Sequence, residues 1–262
     1  MNQRAVFRSL VALGAWLAAS ASADSGSGHM GAMGAHMHAD PHMVLTEARA
    51  ATAEDLRRGR EILAALRGGI EKFQDPDAAI GAGYQPFLPT VPQEVYHFVS
   101  RPETAREYGG AFDAARPGSL LYVKQGSRHR LVGAMYSASQ QAALADLDRR
   151  VPLGLARWHA HVNVCLPKGV TLADLVRGDI GAGNPHLAGM LDPERSPGLA
   201  RIRNDRLGFM ADGRFGFAGK IAEREGCDRA GGDFIPRAWG WMVHVYPYES
   251  SLDKVFAMHH HD

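Results

Sequence analysis

Residues 157–165, Arg157-Trp158-His159-Ala160-His161-Val162-Asn163-Val164-Cys165, alternate between two classes of side chain. Successive side chains leave a strand on opposite sides, so this pattern predicts a strand with one buried face. Trp158, Ala160, Val162 and Val164 form the expected core face, and His159, His161, Asn163 and Cys165 the other. Two strand steps separate the histidine Cα atoms by ~7 Å. Both rings can then converge on one ion at ~2.0–2.1 Å from Nε2. The segment commits the chain to a sheet that carries histidine on one face.

The neighbouring sequence reads in the same way. Residues 94–100, 119–124, 130–136 and 239–246 are predicted strands, with 119–136 a hairpin around Gly126-Ser127. Residues 52–73 form the best helix. Thr52 and Asp55 resemble a capping box, and Leu56, Leu63, Leu66, Ile70 and Phe73 give one apolar stripe. Shorter helices are predicted at 77–82, 139–149 and 171–177. A Gly/Pro-rich stretch over 178–216 has the character of a long functional loop. Helices and strands do not alternate regularly. The expected class is therefore α+β, a single domain over 46–262 with a mainly antiparallel β-sheet or β-sandwich core and peripheral helices.

Two further predicted strands each bring one histidine. His97 shares a face with Val95 and Val99, and His244 shares one with Met242 and Tyr246. A lone histidine on an apolar strand is more often a core side chain bonded to a carbonyl. Four on strands of one sheet point instead to a metal site of His97, His159, His161 and His244. Imidazole suits both Zn(II) and Cu(II), and Met242 would favour copper. Tyr246 and Asn163 are candidates to hydrogen-bond the outer ring nitrogens or a bound water. Glu223 and Glu225 are possible extra ligands, although a solvated helix end is the plainer reading. His129 and His186 fall in turn-like sequence and are expected at the surface.

Thirteen histidines and ten methionines accompany only two cysteines in 262 residues. Residues 1–23 read as a secretory signal peptide: Arg4 and Arg8, an apolar run over 10–19, and Ala21-Ser22-Ala23 before Asp24. The run is too short to span a bilayer, so no stable membrane anchor is expected after cleavage. Its loss takes two arginines and no acids from a formal charge of +1. Neither form offers an electrostatic footprint for nucleic acid. A periplasmic or secreted location follows. In that oxidising setting a Cys165–Cys227 disulfide is the default, closing a loop that stabilises by ~4 kcal/mol. A Cys165 thiolate ligand or free thiols are the alternatives.

Residues 24–45 are expected to be flexible. They hold a mixed tract, His29, Met30, Met33, His36, Met37, His38, His42 and Met43, interrupted by glycine and proline. Thioethers prefer Cu(I), whereas imidazoles accept Cu(II), Ni(II) and Zn(II), so the tract reads as metal capture. An ordinary linker or a cloning remnant are the bland alternatives. The terminal His259-His260-His261 is more simply a frayed end.

His159-x-His161 also opens a cupin-like motif. The glutamate that should follow is missing, and Cys165 stands near its place. No Gly-x-Ser-x-Gly nucleophile elbow is present.

Over residues 70–258 the chain resembles a group of uncharacterised secreted bacterial proteins. The marks are Phe73-Gln74-Asp75 to Ala82-Gly83-Tyr84, Pro117-Gly118-Ser119-Leu120-Leu121-Tyr122 and Leu131-Val132-Gly133-Ala134-Met135-Tyr136. More specific are Trp158-His159-x-His161-x-Asn163-x-Cys165, a later Cys227, and Trp241-Met242-x-His244-Val245. The resemblance implies export and a shared fold, and carries no activity with it.

The leading expectation is an exported transition-metal-binding protein, copper before zinc, whose N-terminal tract passes metal to the folded site. A second is a mononuclear metalloenzyme with an open coordination position, walled by Trp158, Tyr246 and Trp241 and using Glu225 as base. A third is a disulfide-stabilised structural or interaction protein that binds no metal.

Overall fold

A computed structural model describes residues 40–87, 93–126, 128–172, 213–217 and 219–259. They lie in one compact unit, His38–Asp262. The expected signal peptide, the tract residues His29 to His38, His186 and most of the 178–216 stretch lie outside the described residues, as does residue 173 onward of the helix expected at 171–177.

Seven strands form one antiparallel sheet: β1 (Met43–Leu45), β2 (Gln85–Pro86), β3 (Tyr96–Val99), β4 (Ser119–Gln125), β5 (Arg128–Ala138), β6 (His159–Pro167) and β7 (Gly232–Val245). Their spatial order is β1-β6-β7-β5-β4-β3-β2. Six α-helices accompany them among the described residues: α1 (Ala53–Ile70), α2 (Pro76–Gly81), α3 (Arg101–Tyr108), α4 (Leu144–Arg150), α5 (Arg224–Arg229) and α6 (Leu252–Val255). The α+β class is as expected, with one sheet in place of a sandwich. No helix among the described residues is long and apolar enough to cross a membrane.

α1 starts where the sequence places it. Thr52 Oγ1 accepts from the Asp55 N–H at 3.1 Å, and Asp55 Oδ2 accepts from the Thr52 N–H at 2.8 Å. Both orphan donors of the first turn are satisfied. The buried stripe runs through Gly59, Ile62, Leu66 and Ile70 and on to Phe73 in the following 3-10 turn. It is rotated slightly from the expected one, leaving Leu56 and Leu63 half-buried at its edge.

This stripe packs on one face of the sheet. Tyr96, Phe98, Leu120, Tyr122, Ala134, Tyr136, Val243 and Val245 share a single core with it. Alternation then sends His97, Leu121, Met135, Met242 and His244 to the opposite face. Leu121, Met135, Met242 and Tyr246 form a second, smaller cluster there. The sheet therefore has one helix-covered side and one histidine-bearing side.

Two expectations change, and one helix is added to those expected. The polar helix at 139–149 shortens to Leu144–Arg150, because Ser139 closes a turn onto the Ala142 N–H first. Helix α3 follows β3 directly, with Pro102 in its first turn. The boundary at residue 46 moves back as well: Met43–Leu45 is the edge strand β1, paired with His159–His161.

Candidate metal centre

β7 contributes His244 and β3 contributes His97. These strands are separated by β5 and β4. Three strand steps of ~4.8 Å would hold the residues roughly 14 Å apart on a flat sheet. Their Nε2 atoms lie 3.4 Å apart, so the sheet curls around its histidine face.

The outer nitrogen of His244 is occupied. His244 Nδ1 donates to the Met258 carbonyl at 3.0 Å, with the Tyr246 hydroxyl 3.3 Å away. The His97 ring hydrogen-bonds the backbone of Val95. With its proton held on Nδ1, His244 turns an Nε2 lone pair toward His97 Nε2, which meets it with a second lone pair when that ring takes the same tautomer. Such lone pairs repel unless a cation or proton lies between them. Two Nε2 atoms 3.4 Å apart, each ~2.0–2.1 Å from one ion, subtend roughly 110° at it, close to the tetrahedral angle.

His159 is the nearest further imidazole. Its ring centroid is 5.1 Å from that of His244, closer than the 5.5 Å between His97 and His244. It is buried, and its Nδ1 has no hydrogen-bond partner. A buried polar nitrogen left unpaired costs stability, which makes this atom an exception to explain. His161 stands one step aside. Its ring is 5.8 Å from His159, and its edge meets Phe217 at 5.1 Å and Trp239 at 6.3 Å. Among the described residues, no three His, Cys, Asp or Glu side chains close around a single point. The His97–His244 pair is made, with His159 beside it.

Burial dominates the electrostatics of all four. Protein surrounds each ring and disfavours the imidazolium. His97 is pushed down to about 3, and His161 and His244 to about 4. His159 falls well below the usual histidine range. The rings are neutral at pH 7, the form in which imidazole ligates a metal.

A cavity of about 1670 Å³ opens over this face. All four histidines line it, with Met135 and Met242. Tyr246 does so too, but the other expected wall residues do not. Trp158 is fully buried on the helix side, where its Nε1 donates to the Val151 carbonyl. Trp241 packs against the same helix-side core. Trp239 takes their place at the cavity, stacked on Phe217 at 5.0 Å. Glu223 and Glu225 are exposed at the start of α5 and are not cavity residues, which removes Glu225 as a base.

The alternation of β6 breaks at Asn163, whose φ is 55°. Asparagine tolerates this left-handed conformation better than most residues. Beyond it Val164 and Leu166 join Ala238 and Phe217, the cluster met by His161, and Cys165 turns to Cys227. Cys165 thus leaves the histidine face, contrary to strict alternation, and forms the expected disulfide with Cys227, Cα atoms 5.6 Å apart. The Asn163 amide donates to the Pro41 carbonyl.

His42 also departs from its expected capture role. It is buried, with Nδ1 3.0 Å from the Asn163 carbonyl oxygen and Nε2 2.6 Å from that of Gly219. Main-chain carbonyls flank the ring on both sides and accept its N–H, so His42 clamps β1 to the fold. Met43 lies within β1, opposite His161. His129 is half-buried on β5, its ring 5.1 Å from that of Tyr96, and is not a surface turn residue. Met135 and the Met258 carbonyl were not singled out in the sequence. Only the cross-strand register and the return of the chain after α6 bring them to His244.

Compared with protein-family models, curated proteins and solved structures, the chain matches none.

Proposed function

We propose that this is an exported protein that binds a transition metal, copper in preference to zinc, on the histidine face of its sheet. The carrying observation is the His97–His244 pair, two Nε2 atoms 3.4 Å apart with the outer nitrogen of His244 bonded to the main chain. His159, whose buried Nδ1 has no partner, stands beside the pair as a further imidazole for the metal. His161 sits next to the site. The cysteine pairing supports export, since disulfides persist in oxidising compartments. The His/Met tract preceding residue 40 is assigned capture of the same metal.

The test is elemental analysis of purified protein loaded with Cu(II) or Zn(II) and then desalted. Wild type is expected to retain one ion per chain at the site, and His97→Ala/His244→Ala to lose it. Deleting residues 24–38 in both backgrounds separates tract-bound metal from site-bound metal. Normal loading of the double variant in the deletion background would overturn the reading.

The cavity favours a second reading. A mononuclear centre with an open position could act on a substrate bound in that space, which is larger than most drug-sized ligand pockets. A change in the visible spectrum of the Cu(II)-loaded protein on adding azide would mark an exchangeable position and support this reading over closed storage.

A further inference from the structure

The register of the sheet sets a methionine directly opposite three of the four histidines. Met135 is the Cα partner of His244 across β5 and β7. Met242 is the partner of His159 across β6 and β7. Met43 is the partner of His161 across β1 and β6. Residues opposite each other in an antiparallel pair point to the same face with Cβ atoms ~4.5–5.5 Å apart. All six line the one cavity. The three rungs lie on adjacent strand pairs, running from the sheet edge at β1 to the His97–His244 pair.

We infer that the metal held at this face is copper(I), bound by His97, His244 and the Met135 thioether, with His159 and Met242 as a second imidazole–thioether rung beside it. The inference rests on the metal-binding reading above and specifies its metal, oxidation state and sulfur ligand. Soft thioether sulfur selects Cu(I) among biological first-row ions, while hard carboxylates favour other metals. No carboxylate stands opposite any of the four histidines in the ladder. The plain alternative is that Met135 and Met242 merely pack against Leu121 and Tyr246, with which they cluster. Leucine can do that equally well, because Met and Leu conserve volume. It cannot ligate.

The experiment uses the full mature chain. Cu(I) affinity is measured by competition with a chromogenic Cu(I) chelator, Zn(II) affinity by competition with a zinc chelator, and the copper environment by X-ray absorption. Wild type is expected to show a Cu–S shell. Met135→Leu/Met242→Leu is expected to lose that shell and at least about tenfold in Cu(I) affinity, the scale on which site partners tune metal binding. Its Zn(II) affinity and its melting temperature without metal should match wild type. Absence of sulfur scattering in wild type, or unchanged Cu(I) affinity in the variant, overturns the thioether assignment while histidine-dependent Zn(II) or Cu(II) binding stands. Wild type that binds none of the three ions overturns both this inference and the reading beneath it.

Discussion

His97 and His244 face each other across a curled sheet, and their neutrality has a consequence for folding. Unfolded histidine titrates near 6.5, whereas these rings take protons only near 3 and 4. Between those values the unfolded chain binds more protons than the folded one. Stability of the metal-free protein therefore rises with pH through that window, is complete above about 6.5, and is lost as pH falls toward the folded values. Glu107 acts in the opposite sense. Burial pushes its carboxyl up to about 8, against the pull of N–H donors from Gly118 and Ser137. The histidine contribution is accordingly read as a difference. Urea midpoints measured from pH 7 to pH 4 are expected to fall more steeply for wild type than for His97→Leu/His159→Leu/His244→Leu. Parallel curves would contradict the burial of neutral rings.

β7 carries the departures from regular geometry that place the site. His159 pairs with Met242, yet His161 pairs with Ala238, so β7 holds two extra residues between these rungs. Trp239, at φ 58°, and Gly240 absorb them. A Cβ on Gly240 would lie 1.8 Å from the Ala138 carbonyl oxygen, and the Gly240 N–H donates to the Tyr108 hydroxyl at 2.9 Å. Only glycine lets the strands close here. Gly240→Ala is expected to cost about 1–3 kcal/mol through overpacking. It is also expected to loosen the proposed copper binding, because the bulge sets His159 against His244. Chemical denaturation and Cu(I) competition check both effects. The period-2 pattern around His159 and His161 was legible in the sequence because alternation follows from backbone pleating alone. The bulge was not, since it depends on which strand lies alongside. Nor was the switch at Asn163, which one backbone torsion imposes.

The described residues set their apolar clusters around one sheet. α1 covers one face, and the histidines and methionines floor the cavity on the other. The Cys165–Cys227 bond, 62 residues apart in sequence, ties the far end of β6 to α5. Its loop-closure contribution is about 4 kcal/mol in the chain-entropy model. Cys165→Ala/Cys227→Ala is expected to melt well below wild type and, while folded, to keep the proposed copper stoichiometry unchanged. Thermal unfolding and elemental analysis below the melting transition test this. Loss of copper from the folded variant would instead make the bridge part of the site.

Some properties follow from the order of residues without any partner. The capping box of Thr52 and Asp55, the helix stripe, the strands at His97, His159 and His244, and the choice of imidazole and thioether chemistry are local. They arise from backbone periodicity and from what each side chain can bond. Others needed the fold. His42 reads as part of a capture tract until the Asn163 and Gly219 carbonyls close on its ring. Met135 reads as an ordinary strand residue until β7 sets His244 opposite it. His97 and His244, 147 residues apart, become a pair through the curvature of the sheet across the two strands between them. Cross-strand register and curl are set by the packing of distant segments, and no window of neighbouring residues carries that information.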